Sequence, residues 1–494
     1  MKIFNKIFIS LFIPLLFLVS CTDELEISPV SSITSAGFWN GPDDCEAYLT
    51  GIYDDVRGLV NNENWLEGRS DAFVVGDIGA HYQAFWAQEL NASNTEEWTS
   101  FYNSIYHCNR LLKEIEGINF DDADRKNKLM AETHFLRAFL YFHMARIWGK
   151  VPIITEPAEN ADVELKGRAS FEEVFNQING DIDNAISLFP SDGYEDKSYA
   201  SKPAAYALQA DVKMWTAKVL DGGDADLNAA LDAIAEVEAS GVRLIDDDPD
   251  KLANYRNLLS TENEKNDEII FAFFFEYPEA SNHFAGDLTT WQINVEHADN
   301  ADEIPGSNTG ARAEWAPSPK LRALYQENPG DVREDIVIID AIAENEDTGE
   351  IDTILTCFNK WHGTMYETRR YDNDLIVYRW GGLLLLKAEA LAALGQVDDA
   401  VAELNKIRNR AGIADYAGPM DQQSVEEEIC DERFRELAAE LKRWPDLIRF
   451  HHGGTINVYD EVPNLNNKQG YPLYWPVHQA VLDENPEIEQ TEGY

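Results

Sequence analysis

Leu383 to Gly412 reads LLLLKAEALAALGQVDDAVAELNKIRNRAG, and this stretch decides the fold. Its first half is apolar nearly all round, the pattern of a helix buried on several sides. Ala388, Ala390, Ala392 and Ala393 are small enough for a neighbouring helix to approach closely. Gly395 falls where a helix end wants positive φ. Asp398 then caps a second helix with Ala400, Val401, Leu404 and Ile407 on one face. So short a turn makes the two helices antiparallel. This is a helical hairpin of the tetratricopeptide type, which cannot bury its apolar surface without sister hairpins.

Working outward, three such sisters are legible in the N-terminal half. The first joins a helix starting near Asp43, with Ala47, Leu49, Ile52, Tyr53 and Val56 on one side, to Glu96–Ile115. The second joins Lys126–Trp148, stopped by Gly149, to a helix whose Ser170 and Glu173 form a capping box. The third opens at Lys202-Pro203 and closes with Leu227–Ala239. The expected fold is all-α dominated: a scaffold of four hairpin pairs with a small, irregular, partly β region. That region supplies the apolar run EIIFAFFFEY (Glu268–Tyr277), a buried strand, and DIVIID (Asp335–Asp340), a second one. Asn61–Asn94 lacks periodicity and reads as a long loop. After the fourth hairpin, Ser424 and Glu427 form a capping box for one helix continuing to Phe450, and the Pro- and Tyr-rich tail reads as an ordered wrap.

The N-terminus is separate. Lys2 and Lys6 precede an apolar run from Ile7 to Val19, a signal-peptide pattern too short for a membrane span. Leu18-Val19-Ser20-Cys21 resembles a bacterial lipobox, which makes Cys21 the acylated residue. Two or more acyl chains give stable anchoring at about 0.8 kcal/mol per buried methylene. Asp23, Glu24 and Glu26 resemble the acidic surface-export signal of Bacteroidetes lipoproteins. The formal net charge is −49, and removing residues 1–20 takes away two lysines and no acid. Such a balance argues against nucleic acid and against docking on anionic lipid. Cys45, Cys108, Cys357 and Cys430 show no metal-type spacing and read as buried thiols.

Taken together, AEALAALGQVDDAVAELNKIRNRAG, ERFRELAAELKRWPDLIRF, YWP and the terminal GY resemble the SusD/RagB family of outer-membrane nutrient-binding lipoproteins. FWNGPDDCEAYLTGIY, YNSIYHCNRLL, AETHFLRAFLYFHMARIWGKVPII, SKPAAYALQADVKMW and NDEIIFAFFF fit the same family in the same order. Trp475-Pro476-Val477-His478 and Gln490-Thr491-Glu492-Gly493-Tyr494 depart from its usual closing motifs. The resemblance implies a lid that captures a glycan, or in some members a peptide, and delivers it to a SusC-like TonB-dependent β-barrel transporter. It implies a location on the outer membrane facing the exterior, with no catalysis and no cofactor. On this reading 1–20 is the signal peptide and 21–35 a lipid-anchored linker. Residues 36–494 form one SusD-like domain: helical pairs to about 240, a variable insert at about 241–373, and the last pair, helix and wrap thereafter.

Candidate sites divide by chemistry. Glu432, Glu436 and Glu440 share a helical face, as paired catalytic carboxylates do, but alternate with Arg433, Arg435 and Arg443; the expectation is a structural ion-pair network. Asp224-Ala225-Asp226 begins like a calcium loop but Ala229 and Ala235 break the pattern, so it reads as a helix cap and no metal site is expected. A glycan binder needs exposed rings flanked by short polar side chains. Trp65 and Asp71, Tyr82, Trp86 and Trp291 are the candidate ligand-binding residues, on two segments, 61–86 and 280–300. Trp148, Trp215 and Trp444 lie on apolar helix faces and read as core, as does Trp315. A peptide-binding lid of the RagB kind and a surface glycoside hydrolase are the competing readings.

Overall fold

A computed structural model describes residues 35–76, 83–159, 164–290, 292–305 and 315–494. Residues 1–40 and 41–494 are two separate units. In the first, Ser35–Phe38 is a helical turn; the expectations placed on residues 1–34, Cys21 among them, lie outside the described residues.

The second unit contains all four expected hairpins. They are α1 (Pro42–Val60) on α2 (Thr99–Glu114), α3 (Ala123–Trp148) on α4 (Phe171–Leu188), α5 (Lys202–Val219) on α6 (Gly223–Ala239), and α7 (Trp380–Ala393) on α8 (Val397–Arg410). Successive hairpins also touch, α2 on α3, α4 on α5 and α6 on α7, so each buries its neighbour's apolar face. The end signals work as written in the sequence. Glu173 N–H donates to Ser170 Oγ at 3.2 Å and Ser170 N–H to Glu173 Oε2 at 2.9 Å. Gly395, at φ +75°, ends the α7 hairpin arm. At the head of α8, Gln396 rather than Asp398 is the capping position, and it makes no side-chain cap.

Two helices follow, α9 (Gln422–Leu437) and α10 (Arg443–His452). The sequence reading joined them into one. Pro445 has no N–H, and its ring would strike the carbonyl of Leu441 in a continuous helix. The chain instead breaks at Ala438–Lys442, with Ala439 and Leu441 at φ +57° and +59°. The cap of α9 is Asp421, which accepts from Ser424 N–H at 3.0 Å; Ser424 lies inside the helix. His451 and His452 sit in the last turn of α10.

The strands are short. β1 (Phe73–Val75) pairs antiparallel with β3 (Trp315–Pro317), so the expected loop 61–94 holds a strand and, at Glu63–Leu66, a helical turn. β2 (Ile269–Phe273) pairs with β6 (Leu375–Arg379), a strand the sequence did not separate from the apolar run that follows it. β4 (Ile338–Glu344) pairs with β5 (Ile351–Phe358); the DIVIID stretch is helical up to Val337 and extended only after it. Phe271 and Phe273 of β2 meet Phe135 and Phe139 of α3 at ring distances of 5.1 and 5.8 Å, which seats this sheet on the second hairpin. Val295, Ala298, Ile304, Ala341, Leu355 and Cys357 form a small separate core in the insert. All four described cysteines are buried.

At the centre lies a buried charge network. Glu436 Oε1 accepts from Arg379 (2.6 Å) and Arg410, and its Oε2 from Arg333 (3.0 Å) and the Tyr255 hydroxyl (2.7 Å). Glu440 pairs with Arg379 and Lys360, Glu432 with Arg333 and Arg435, and Glu268 with Arg379 and Arg410. Gly381 makes room for it: a Cβ there would stand 2.6 Å from Arg379 Nη1 and 2.9 Å from Glu268 Oε1. Each guanidinium is matched by carboxylates at short range, which compensates the desolvation of both. This network ties α8, α9 and β6 together, the structural role expected for Glu432, Glu436 and Glu440.

Candidate functional site

The site is built on the segment after β1. Residues 84–88 form a tight turn, with Gln88 at φ +56° and Glu89 N–H donating to Ala84 O at 2.8 Å. Arg69 holds the turn: its Nε and Nη2 donate to Gln88 Oε1 at 2.9 and 2.7 Å, and Gln88 Nε2 donates back to Arg69 O. The same guanidinium donates to the carbonyls of Leu473 and Pro472 at 2.8 Å, so the C-terminal wrap is fastened to this turn. Phe85 anchors it from below, stacked on Trp475 at 6.0 Å. Gly68 permits that seat, because a Cβ would lie 2.4 Å from the Phe85 ring.

Trp86 follows Phe85 and is half-buried. Its Nε1 donates to Phe73 O of β1 at 3.1 Å, and its ring leans on Trp315 of β3 at 6.4 Å and 51°. Asn464 Nδ2 holds the Trp86 carbonyl at 2.9 Å. The indole is therefore fixed in one orientation with part of its surface open, the preorganisation that ring-face recognition needs. The two segments that the sequence paired do lie together. Asn61 Oδ1 accepts from Phe284 N–H at 3.1 Å, and the helix His283–Leu288 packs against β3.

The other candidates separate. Trp65 is 5% exposed. Its Nε1 donates to Leu59 O, and its ring is enclosed by Trp148, Trp475 and Phe101 at 5.4–5.6 Å. The turn at Glu63–Leu66 packs it inward, so Trp65 is a core residue whose small exposed remainder lines a groove of about 550 Å³ with Asn62, Glu96 and Asn103. Asp71 is also buried, bound by Arg443 (2.7 and 2.9 Å) and Lys320 (2.7 Å). Burial alone would raise its carboxyl; the Arg443 and Lys320 charges outweigh that and hold it at about 2. It is a structural anion, not a ligand contact. Tyr82 and Trp291 lie outside the described residues. Trp148, Trp215, Trp315 and Trp444 are core, as expected, and Trp361 joins them by donating to Ala439 O.

Exposed rings that sequence reading passed over lie elsewhere. Tyr199, 41% exposed, stands edge-on to Tyr53 in a groove of about 600 Å³ that also holds Arg57, Lys265 and Phe274. Tyr366 leans on Tyr277 at 5.2 Å, with Arg370 over the Tyr277 face. A larger groove of about 950 Å³ lies under the C-terminal wrap, where Phe171, Tyr459, Tyr471 and Tyr474 face it. No period marks such residues, since their exposure is set by loops. Among the described residues no group of histidines, cysteines and acids is arranged to hold a metal, and no helix is long and apolar enough to cross a membrane.

The scaffold spends its central carboxylates, Glu432, Glu436 and Glu440, on arginine and lysine partners and leaves the Trp86 indole half open. Comparison with known proteins gives the family. Residues 32–214 match a SusD-like family described as starch-binding and associating with the outer membrane, and residues 334–494 match the SusD family. A SusD-like protein, P38, of Formosa agariphila is 28% identical over 541 aligned positions, with all of both chains covered. The starch-binding protein SusD of Bacteroides thetaiotaomicron is 23% identical over 96% of each chain. A solved SusD superfamily protein from Bacteroides fragilis superposes with a TM-score of 0.80 at 25% identity, covering 92% of this chain and all of its own. The chain belongs to the SusD/RagB family and is a SusD-type nutrient-binding protein, not an enzyme.

Proposed function

We propose that the protein captures a glycan at the cell surface by ring-face contact and passes it to a TonB-dependent outer-membrane transporter. It would be held at the membrane by acylated Cys21. The observation that supports this reading is Trp86: a half-buried indole locked by Phe73 O and Trp315. Sugars offer flat C–H faces to such a ring, and each stacking contact contributes about 1 kcal/mol. Two or three contacts, less the cost of ordering the ligand, give affinities on the order of micromolar to millimolar. Weak capture suits a lid, which must let go of what it holds.

Trp291 and Tyr82, on the flanking segments, complete this proposed platform. The test is a glycan-panel titration of the protein and of Trp86→Ala and Trp291→Ala. Five- to tenfold weaker binding in each variant, with unchanged melting temperature, is the expected result. Unaltered affinity in both variants, or binding confined to a peptide library, would remove the proposal.

A further inference from the structure

The groove of about 950 Å³ under the C-terminal wrap is separate from the Trp86 platform: Phe73, Trp315 and Asn464, which hold that indole, do not line it. Buried Trp148 of α3 closes it from below. Two rings meet over the end of that helix. Phe171, at the head of α4, and Tyr474, of the wrap, stand 5.6 Å apart at 44°. Gly149, at φ +75°, makes room for both, since a Cβ would lie 3.0 Å from Phe171 Cζ and 3.4 Å from Tyr474 Cγ. Both rings are half-buried, with surface left to the groove.

The tyrosines of the wrap divide. Tyr459 donates its hydroxyl to Tyr471 O at 2.8 Å, Tyr471 to Leu90 O at 3.2 Å and Tyr494 to Tyr474 O at 3.3 Å. The Tyr474 hydroxyl has no partner among the described residues and is not sealed from solvent. Burial pushes its phenol up, so it stays a neutral donor. Arg168 is spent on the walls: it donates to Lys150 O and Trp148 O at 2.6 Å, and to Glu489 O and Thr491 Oγ1 at 3.2 Å. Glu487, Glu489 and Glu492 line the groove, exposed and, among the described residues, without an ion pair. The groove therefore offers ring surface, one open hydroxyl and carboxylate acceptors, while its guanidinium is already engaged. Three unpaired carboxylates disfavour an anion. A ligand with C–H faces and many O–H donors fits, which is a sugar chain. The groove stands at the top of the roughly 300–1,000 Å³ range of small-molecule sites, so it has room for several sugar rings.

We propose that this groove is a second carbohydrate site, which takes a short uncharged stretch of glycan across Phe171 and Tyr474, with the Tyr474 hydroxyl and the rim carboxylates bonding to sugar hydroxyls. It rests on the reading that the ligand is a glycan, but on none of the residues that set Trp86.

The test uses the whole protein and four neutral sugars, maltohexaose, cellohexaose, laminarihexaose and xylohexaose, in saturation-transfer titrations. At least one should bind, and Trp86→Ala should keep part of that binding. In the Trp86→Ala background, Phe171→Ala should weaken what remains about five- to tenfold through the lost ring surface. Tyr474→Phe, which keeps the ring, should weaken it about fivefold through the lost hydrogen bond, and it decides alone should Phe171→Ala fail to fold. Binding that vanishes with Trp86→Ala, or that ignores both groove variants, overturns this site and leaves the Trp86 platform standing. Binding that ignores Trp86→Ala but responds to the groove variants supports this site and counts against that platform. Failure of all four sugars, or uptake of hexalysine in their place, overturns the site.

Discussion

Replacing Glu436 by Gln keeps the side-chain volume and removes one charge at the centre of the buried network. In the folded protein this carboxylate accepts from Arg333, Arg379, Arg410 and the Tyr255 hydroxyl, and is shut off from water. Its acidity follows: burial would raise the carboxyl, but Arg410, Arg379 and Arg333 hold it far below the ordinary carboxylate range. Breaking a buried pair from one side costs about 3–5 kcal/mol. The lower end applies here, because each guanidinium keeps another partner: Arg379 keeps Glu440 and Glu268, Arg410 keeps Glu268, and Arg333 keeps Asp331 and Glu432. At about 2 cal/mol/K of unfolding entropy per residue, a unit of this length loses about 1 °C per kcal/mol, so Glu436→Gln should melt about 3 °C lower. Scanning calorimetry at pH 7 measures it. Lys406→Ala, which breaks the half-exposed pair with Glu403, is the control and should shift the melting point by less than 1 °C. A loss under 1 °C in Glu436→Gln, or weaker glycan binding at 20 °C, would refute the view that this network is scaffold.

Trp65→Ala should lower stability by about 3–5 kcal/mol through the cavity left among Trp148, Trp475 and Phe101, seen as a fall in melting temperature; Trp65→Phe should recover most of it. The pH profile of stability should peak near pH 4–5. Burial pushes Glu67 up to about 8 and Glu132 up to about 7, so the folded state keeps protons that the unfolded chain releases near 4.3, and stability falls as pH rises from about 4.5 to 8. Asp71, Glu389 and Glu440, held at about 2 by their Arg and Lys partners against burial, contribute stability above about 4 that is lost as pH falls toward 2. Glu67→Gln should flatten the upper limb, with a larger gain at pH 8 than at pH 5 in thermal melts. Ala439→Gly removes the strain of a left-handed Ala at φ +57° and should raise stability by about 1 kcal/mol, read from denaturant midpoints; a decrease would show that the bend is held without strain.

The hairpins were legible because their signals are local. Small residues on α7, the Ser170–Glu173 box and the glycines at 149 and 395 each act within a few residues of where they stand. The bend between α9 and α10 was also written in the sequence, in Pro445, whose clash falls four residues upstream. β6 was hidden because a buried strand and a buried helix share one apolar run, and only pairing with β2 separates them. Asp71 and Trp65 were misread for a different reason. Arg443, which neutralises Asp71, is 372 residues away, and Trp475, which covers Trp65, is farther still. Residues on aperiodic segments take their environment from distant chain, and no window of sequence holds that information.

The fastening of the Trp86 turn carries a consequence for biosynthesis. Asn464 and the carbonyls of Pro472 and Leu473 reach back across 378 and about 400 positions to fix the indole and its turn. A nascent chain can stack its early hairpins on the ribosome, but this ring acquires its setting only when the last segment emerges. If this ring takes the ligand as proposed, capture waits on the completion of translation, and a protease that clips the carboxyl-terminal strap would undo the setting of the ring and uncover the core that Trp475 closes.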